Sequence, residues 1–202
     1  MTALNKKVLN VGGNSKAIAI PEYFKGWDHL LLDIDPRGKP DILCDARKLT
    51  TLESAQVDAV YCSHNLEHYY AHDVPRVLQG FLHMLRHDGF IDIRVPDMRA
   101  VMQMMLENNL DIEDTLYMSP AGPITSRDLF YGYGVEIERT GQDFYAHKTG
   151  FTQKSLQNII LQNGFPFVFT RAAELNVYAL AFKNQPTTEQ QRLFNLPPLQ
   201  SL

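Results

Sequence analysis

Cysteine is nearly missing from this chain: among 202 residues only Cys44 and Cys62 carry a thiol. Both sit inside apolar runs, so they read as small buried hydrophobes in a reducing compartment and not as a disulfide framework. A surplus of positive charge is missing too. The 19 Lys and Arg residues face 23 Asp and Glu, a net charge of −4. That balance supplies no basic footprint for phosphate backbones and argues against general nucleic-acid binding, although one local basic pocket for an RNA site would be compatible with it. No apolar run approaches the roughly 20 residues that span a bilayer, and no charged-then-apolar leader opens the sequence. The expectation is a cytoplasmic protein with no membrane attachment. Hydrophobic residues at 45% and charged residues at 21% are ordinary globular values, and the length fits one domain with a sizeable core. Internal repeats are absent as well.

What is present begins at the first strand. Lys7-Val8-Leu9-Asn10-Val11 runs into Gly12-Gly13-Asn14, a buried strand followed by a tight glycine turn. Leu30-Leu31-Leu32-Asp33-Ile34-Asp35-Pro36 then reads as a second buried strand ending in a carboxylate. Asp33 lies 23 residues after Asn10, near the spacing at which a βαβ unit places an acid on the ribose of a nucleoside. A dinucleotide site wants G-x-G-x-x-G, because its second glycine lets bare backbone approach the pyrophosphate. Here that position is Asn14 and the third is Ala17. S-adenosylmethionine (SAM) carries an adenosine and no phosphate, so it needs the turn and the acid without the full glycine set. The pattern favours SAM over NAD; a plain strand-to-loop turn is the structural alternative.

The strands recur at intervals. After 7–11 and 29–33 come a short 41–44, then 57–62 and 90–95, the last ending at Pro96. Val74, Val77, Leu78, Phe81, Leu82 and Leu85 recur at helical spacing. Asp73 is the candidate N-cap of that helix, and Asp88-Gly89 its stop. Further helices are expected from Asp97 through Leu106 and from Thr152 to Gln162. Phe165–Arg171 and Asn176–Phe182 read as an antiparallel pair. Strands alternating with helices indicate an α/β, Rossmann-like doubly wound, mostly parallel sheet with helices on both faces. Only Pro36 to Pro40 separates the second and third strands, too short for a crossover helix. Residues 109–150 form a long segment rich in glycine and aromatics, expected as a lid or acceptor-binding insertion after the fifth strand; a small helical insertion packed on itself is the alternative. From Asn184 the chain turns polar, with Pro186, Pro197 and Pro198, and is expected to fray or to dock a partner.

These blocks, taken in order, resemble the class I SAM-dependent methyltransferases, of the type often labelled methyltransferase type 11. The resemblance rests on Val8-Leu9-Asn10-Val11-Gly12-Gly13, Leu32-Asp33-Ile34-Asp35-Pro36, Asp41-Ile42-Leu43-Cys44-Asp45-Ala46 and Val57 through His68. It continues through Leu85–Ile93, Phe151–Leu156 and Asn163-Gly164-Phe165, and so covers residues 1–183 as a single domain, with 184–202 as a C-terminal tail. It implies a seven-stranded sheet with the last strand inserted antiparallel. It also implies roles: Gly12 and Gly13 pass close to the methionine part of SAM, and Asp33 accepts from the ribose hydroxyls beside Ile34. Asp45 takes the adenine amino group with the Ala46 backbone near the ring, while Ser63 and His64 line the pocket near the sulfonium. Asn10 stands where such enzymes commonly have an acid; an amide can hydrogen-bond the cofactor but cannot neutralise its cationic end.

Methyl transfer asks the protein to align donor and acceptor and to exclude water. A base is needed only for a protonated acceptor such as a hydroxyl. His64 and His147 are the candidates, His64 by the carboxyl edge of the fourth strand and His147 at the exit of the aromatic insertion; a structural histidine is the plain alternative for each. His64, His68 and His72 recur every four residues, but H-E-x-x-H is absent and the helix begins only at Asp73, so no metal is expected. Tyr131-Gly132-Tyr133-Gly134 fits a stacking platform for a flat or sugar-like acceptor, or a turn around core aromatics. Three functions follow. The first is a SAM-dependent methyltransferase acting on a small-molecule or sugar-type acceptor. The second is an NAD(P)-dependent reductase, which lacks a Tyr-x-x-x-Lys pair here. The third is a non-catalytic SAM-binding protein of the same fold. Nothing in the sequence fixes an oligomeric state.

Overall fold

The computed structural model describes residues 5–119 and 122–197. Its centre is a seven-stranded sheet in the order β3-β2-β1-β4-β5-β9-β8, built from β1 (Lys7–Val11), β2 (Asp28–Asp33), β3 (Ile42–Leu43), β4 (Val57–Ser63), β5 (Leu85–Pro96), β8 (Phe167–Ala173) and β9 (Asn176–Phe182). The run β3-β2-β1-β4-β5 is parallel, and β9 runs antiparallel to both β5 and β8. The expected sheet, with its antiparallel last strand, is therefore the observed one. β1 leads to β2 on one side and has β4 on the other, so the strand order reverses between β1 and β4. Open α/β sheets bind ligands at such a switch point, outside the carboxyl ends of the strands. Gly12 and His64 each follow the last residue of those strands.

One face of the sheet is covered by α1 (Val74–Met84) and α5 (Gln153–Gln162). Val74, Val77, Leu78, Phe81 and Met84 of α1 join Leu156 and Ile160 of α5 in the larger buried cluster. Thr152 caps α5 through a reciprocal bond with Ser155, satisfying donors that the helix leaves open. α1 ends earlier than its expected Asp88-Gly89 stop. Ala55 and Gln56 donate to the carbonyls of His83 and Met84, and Leu85 already pairs with Val57 in the sheet. Those terminal carbonyls are thus satisfied by the chain entering β4, and Asp88-Gly89 falls inside β5. Asp73 likewise makes no capping bond; its carboxylate accepts from Arg47 instead.

The other face is covered more thinly over β1 and β2, whose connection carries only the 3-10 turn Glu22–Phe24. This face is closed by aromatics: Phe24, Phe90 and Phe182 are buried, with Tyr23, Trp27, Phe167, Phe169, Phe194 and Leu196 packed against them. The C-terminal segment therefore does not fray over 184–197. It forms α6 (Thr188–Leu193) behind a Thr187–Gln190 capping box. Gln190 Nε2 donates to the Asp88 carbonyl, and Phe194 packs edge-on against Phe90 at 5.0 Å. The sequence signal misled because the aromatic anchor is one residue in an otherwise polar run. Residues 198–202, Pro198 among them, lie outside the described residues.

The insertion after β5 is ordered secondary structure. α2 (Met98–Glu107) leads to a hairpin of β6 (Thr115–Ser119) and β7 (Gly122–Thr125), then α3 (Ser126–Tyr131) and α4 (Gly134–Thr140). In the Tyr131–Gly134 run, Gly132 has φ +95° and a Cβ there would come within 2.3 Å of the Tyr145 carbonyl. Gly132 also bridges Ala146. That run is a turn clamped against 145–147, with Tyr131 62% exposed.

Candidate functional site

The turn after β1 is held by two carboxamides. Gly12 has φ +70°, and a Cβ there would lie 2.0 Å from Asn65 Nδ2; a Cβ on Gly13 would lie 2.2 Å from Asn10 Nδ2. Both glycines are thus demanded by close approach, Gly12 also by its backbone. Gly12→Ala forces Asn65 out and strains the left-handed backbone, which costs of order 1–3 kcal/mol at such a position. We expect a lower thermal midpoint and weaker nucleoside binding for this variant, both readable by melting with and without S-adenosylhomocysteine (SAH).

Asn14, also left-handed at φ +57°, points its amide N–H at Asp33 Oδ2, 2.9 Å away, and Asp35 N–H donates to Asp33 Oδ1 at 2.9 Å. A carboxylate offers about four lone-pair sites. Each Asp33 oxygen therefore keeps one lone pair, and the residue borders the cleft. Asp45 is different. Arg47 N and Nε reach its Oδ1 at 2.9 and 3.1 Å, and Nε and Nη2 reach its Oδ2 at 2.9 and 2.6 Å. Burial alone would push its carboxyl up; the Arg47 contacts outweigh that and hold it below the ordinary value. Its acceptor capacity is used within the protein.

The aromatic insertion closes on the end of β2. Tyr145 OH donates to Asp35 Oδ2 at 2.7 Å. Arg37 grips the same carboxylate through Nε and Nη2, at 2.8 and 2.5 Å, and also donates to the Tyr145 hydroxyl. Arg37 holds the Asp35 carboxyl far below the usual carboxylate range. Burial and the Asp35 charge push the Tyr145 hydroxyl up to about 12. The insertion's exit is tied to the loop after β4, where Lys148 and Thr149 N–H groups donate to the Glu67 carbonyl at 2.8 and 3.1 Å.

In that loop His64 takes a left-handed φ of +49°, and its N–H donates to the Arg94 carbonyl at 2.9 Å. The imidazole is 51% exposed, with Nδ1 3.5 Å from Glu67 Oε1. His64 lines the cleft. Burial pushes the Glu67 carboxyl up, but His64, His68 and His147 together hold it below the ordinary value. His147 does not line the cleft. Its ring is 10% exposed, Nδ1 sits 2.9 Å from the Leu129 carbonyl, and Nε2 faces Glu67. As the Asp73 signal indicates, His64, His68 and His72 form no helical stripe: only a 3-10 turn at Leu66–His68 precedes α1.

The cleft brings together Gly12, Asp33, Ile34, Asp45 and His64 from the sequence-based set. Gly13, Asn10, Ala46 and Ser63 stay outside its lining. The Asn10 carboxamide is buried, packs beneath Gly13 and contacts His29 Nε2 through Nδ2 at 3.2 Å. The lining adds Asn14, Asn65, Arg47 and Tyr69, which sequence reasoning missed. Asn65 and Asn14 each follow a flagged residue, but their roles depend on backbone angles that no pattern announces.

A family model described as a methyltransferase domain matches residues 11–93. No curated protein matches the chain. Among solved structures, a 1,6-didemethyltoxoflavin-N1-methyltransferase from Burkholderia thailandensis, bound to its substrate and SAH, is 17% identical with a TM-score of 0.54, covering 90% of this chain and 72% of that one. A SAM-dependent methyltransferase from Archaeoglobus fulgidus is 16% identical with a TM-score of 0.54, covering 89% and 86%. A putative methyltransferase in complex with the Trm112 activator from Haloferax volcanii is 11% identical with a TM-score of 0.55, covering 92% and 85%. At these identities the likeness is one of fold.

Proposed function

We infer that this chain, whose sheet is that of the class I methyltransferases, is a SAM-dependent methyltransferase acting on a small-molecule or sugar-type acceptor. The observation that carries this reading is the state of Asp33: a carboxylate at the end of β2, bordering the cleft, with one lone pair free on each oxygen and beside the Gly12 turn. A ribose diol offers two hydroxyls to those lone pairs, and charge-assisted bonds are the stronger kind. Asn14 stands where a pyrophosphate would need a second glycine, which disfavours a dinucleotide.

SAM, when bound, supplies a methyl group already activated by its sulfonium. The residues of this chain then have to bind, orient and exclude water. Asp33 and the Gly12 turn would hold the nucleoside and methionine ends, with Ile34 alongside the nucleoside. Adenine would rest beside Asp45, with its amino group satisfied elsewhere because Arg47 fills the Asp45 oxygens. The Tyr145–Asp35–Arg37 latch keeps the insertion over the cleft, and Phe144 joins its lining. For a hydroxyl acceptor, His64 would take the proton at Nε2, steadied by Glu67 on the Nδ1 side. The same reading treats residues 1–183 as one domain with 109–150 as its acceptor-side insertion, and 184–202 as a C-terminal segment. Among the described residues no helix is long and apolar enough to cross a membrane.

Calorimetric titration with SAM, SAH and NADH tests the reading. Binding of SAM and SAH is expected, and binding of NADH alone would overturn it. His64→Asn is expected to lower kcat by about 100-fold or more, the usual contribution of a general base, while SAH affinity falls less than tenfold. The measurement is transfer of labelled methyl from SAM into an acceptor found by screening small hydroxylated compounds. SAM binding with no acceptor in any pool would favour the non-catalytic alternative.

A further inference from the structure

At the wall of the cleft, Glu67, His68 and His147 each offer one ligand atom, and these atoms all lie within 4.8 Å of one another. We propose that this His-His-Glu cluster is a binding site for one divalent transition-metal ion, with Zn²⁺ the best chemical match.

Three independent features support it. First, Glu67 is 1% exposed, and among the described residues neither of its carboxylate oxygens has a hydrogen-bond partner. Burying a carboxylate without such partners is costly, and buried charges are normally paired or bound to a metal. The nearest imidazole nitrogens, His64 Nδ1 and His147 Nε2, stand at 3.5 and 3.9 Å, beyond hydrogen-bond distance or at its edge. Second, both imidazoles are already oriented from behind. His68 Nδ1 is 3.1 Å from the Ala146 carbonyl, and His147 Nδ1 is 2.9 Å from the Leu129 carbonyl. A carbonyl accepts, so each Nδ1 carries the proton and each Nε2 keeps its lone pair. That arrangement, with a backbone oxygen fixing the tautomer of a ligating histidine, is the usual outer support of protein metal sites. Third, the cluster joins two distant parts of the chain, the loop after β4 and the exit of the insertion, and both are pinned by the bonds from Lys148 and Thr149 to the Glu67 carbonyl. The ligands are therefore held by main-chain contacts and not by flexible side chains alone.

Two nitrogens and one carboxylate oxygen suit Zn²⁺, and after it Fe²⁺ or Mn²⁺, better than Mg²⁺ or Ca²⁺, which prefer oxygen donors. Metal–ligand lengths of about 2.0–2.2 Å put donor atoms roughly 3.0–3.5 Å apart. Closure from the present spacing asks each side chain to move by about an ångström or less. Three protein ligands leave a position for an outside oxygen, and His68 is itself part of the cleft lining. The site thus borders the space where the acceptor of the proposed reaction would lie. Its existence does not depend on that reaction.

The test uses full-length protein stripped with chelator, titrated with ZnCl₂ in the absence of SAM and checked by elemental analysis after desalting. One equivalent per chain is expected for the wild type. His147→Ala should weaken Zn²⁺ at least 100-fold, and Glu67→Gln, which fills the same space without charge, should do likewise. A variant lacking the exposed His72 and His87 should still take up one equivalent. Melting curves with SAH identify any variant that fails to fold, and the Glu67→Gln and His147→Ala results are read only in folded protein. SAH binding by the stripped wild type reports on the methyltransferase reading separately. Absence of Zn²⁺ from the wild type, or an undiminished equivalent in both folded variants, overturns the proposal.

Discussion

Replacing Asp33 with Ala is expected to weaken SAH binding by about 100-fold or more, the largest single loss at this site. Hydrogen bonds to a charged group contribute about 1.5–3 kcal/mol each, so the two bonds to a ribose diol correspond to roughly two to four powers of ten in affinity at full strength. Part of the loss would be indirect. The same carboxylate accepts from Asn14 and Asp35 N–H groups, and a donor left without its acceptor costs about 1–3 kcal/mol if it stays buried. Asp33→Asn separates the two effects. Its carbonyl can still serve one backbone donor while its NH₂ group opposes the other, so the turn loosens but the site is not emptied. Calorimetry should rank wild type above Asp33→Asn above Asp33→Ala, and melting without ligand should show how much of the series is turn stability. Wild-type SAH affinity in Asp33→Ala would end the assignment of this carboxylate to a ribose.

The sheet was legible because its signals are local and repeated. β1, β2, β4, β5 and the closing pair β8–β9 are short apolar runs bounded by turn residues, and α1 shows its buried stripe at helical spacing. Boundaries were less legible where distant chain segments decide them. Nothing near Asp88-Gly89 says that Ala55 and Gln56 will satisfy the last carbonyls of α1 and let β5 begin at Leu85.

The site divides in the same way. Asp33 and Gly12 could be placed because strand spacing fixes where a strand end meets the cleft. The setting of Asn10 was not legible, because its partner His29 comes from β2, 19 residues away. The Asp45 case was hidden for a different reason: Arg47, two residues on, claims the carboxylate. The Glu67–His68–His147 cluster has members 79 residues apart in sequence, from 68 to 147. No motif with fixed spacing can reveal a site assembled by the docking of an insertion. The feature that exposes it is a buried carboxylate without partners, which only three dimensions show.

Phe194→Ala is expected to destabilise the protein by about 2–4 kcal/mol, at or just below the usual cost of truncating a core phenylalanine because this ring is only partly buried. For a chain of this size that corresponds to a fall in thermal midpoint of roughly 5–15 °C. The reason lies in how the second face of the sheet is covered. Where a doubly wound fold would lay full helices over β1 and β2, this chain has a 3-10 turn carrying Tyr23 and Phe24. Phe194 completes the layer, with its ring 5.1 Å from Tyr23, 5.0 Å from Phe90 and 6.1 Å from Phe182. Beneath it, Tyr23 donates its hydroxyl to the buried Asp92, so loosening the layer would admit water to a carboxylate held deep in β5. A chain ending at residue 183 should fall further than Phe194→Ala, since it also loses Leu196 and the bonds from Asn184 and Gln190 to the β5 backbone. A tail that served only to dock a partner would leave both midpoints unchanged. Because the cleft lies beyond the opposite ends of these strands, SAH affinity of folded Phe194→Ala protein should stay near wild type, which separates bracing of the sheet from any part in binding.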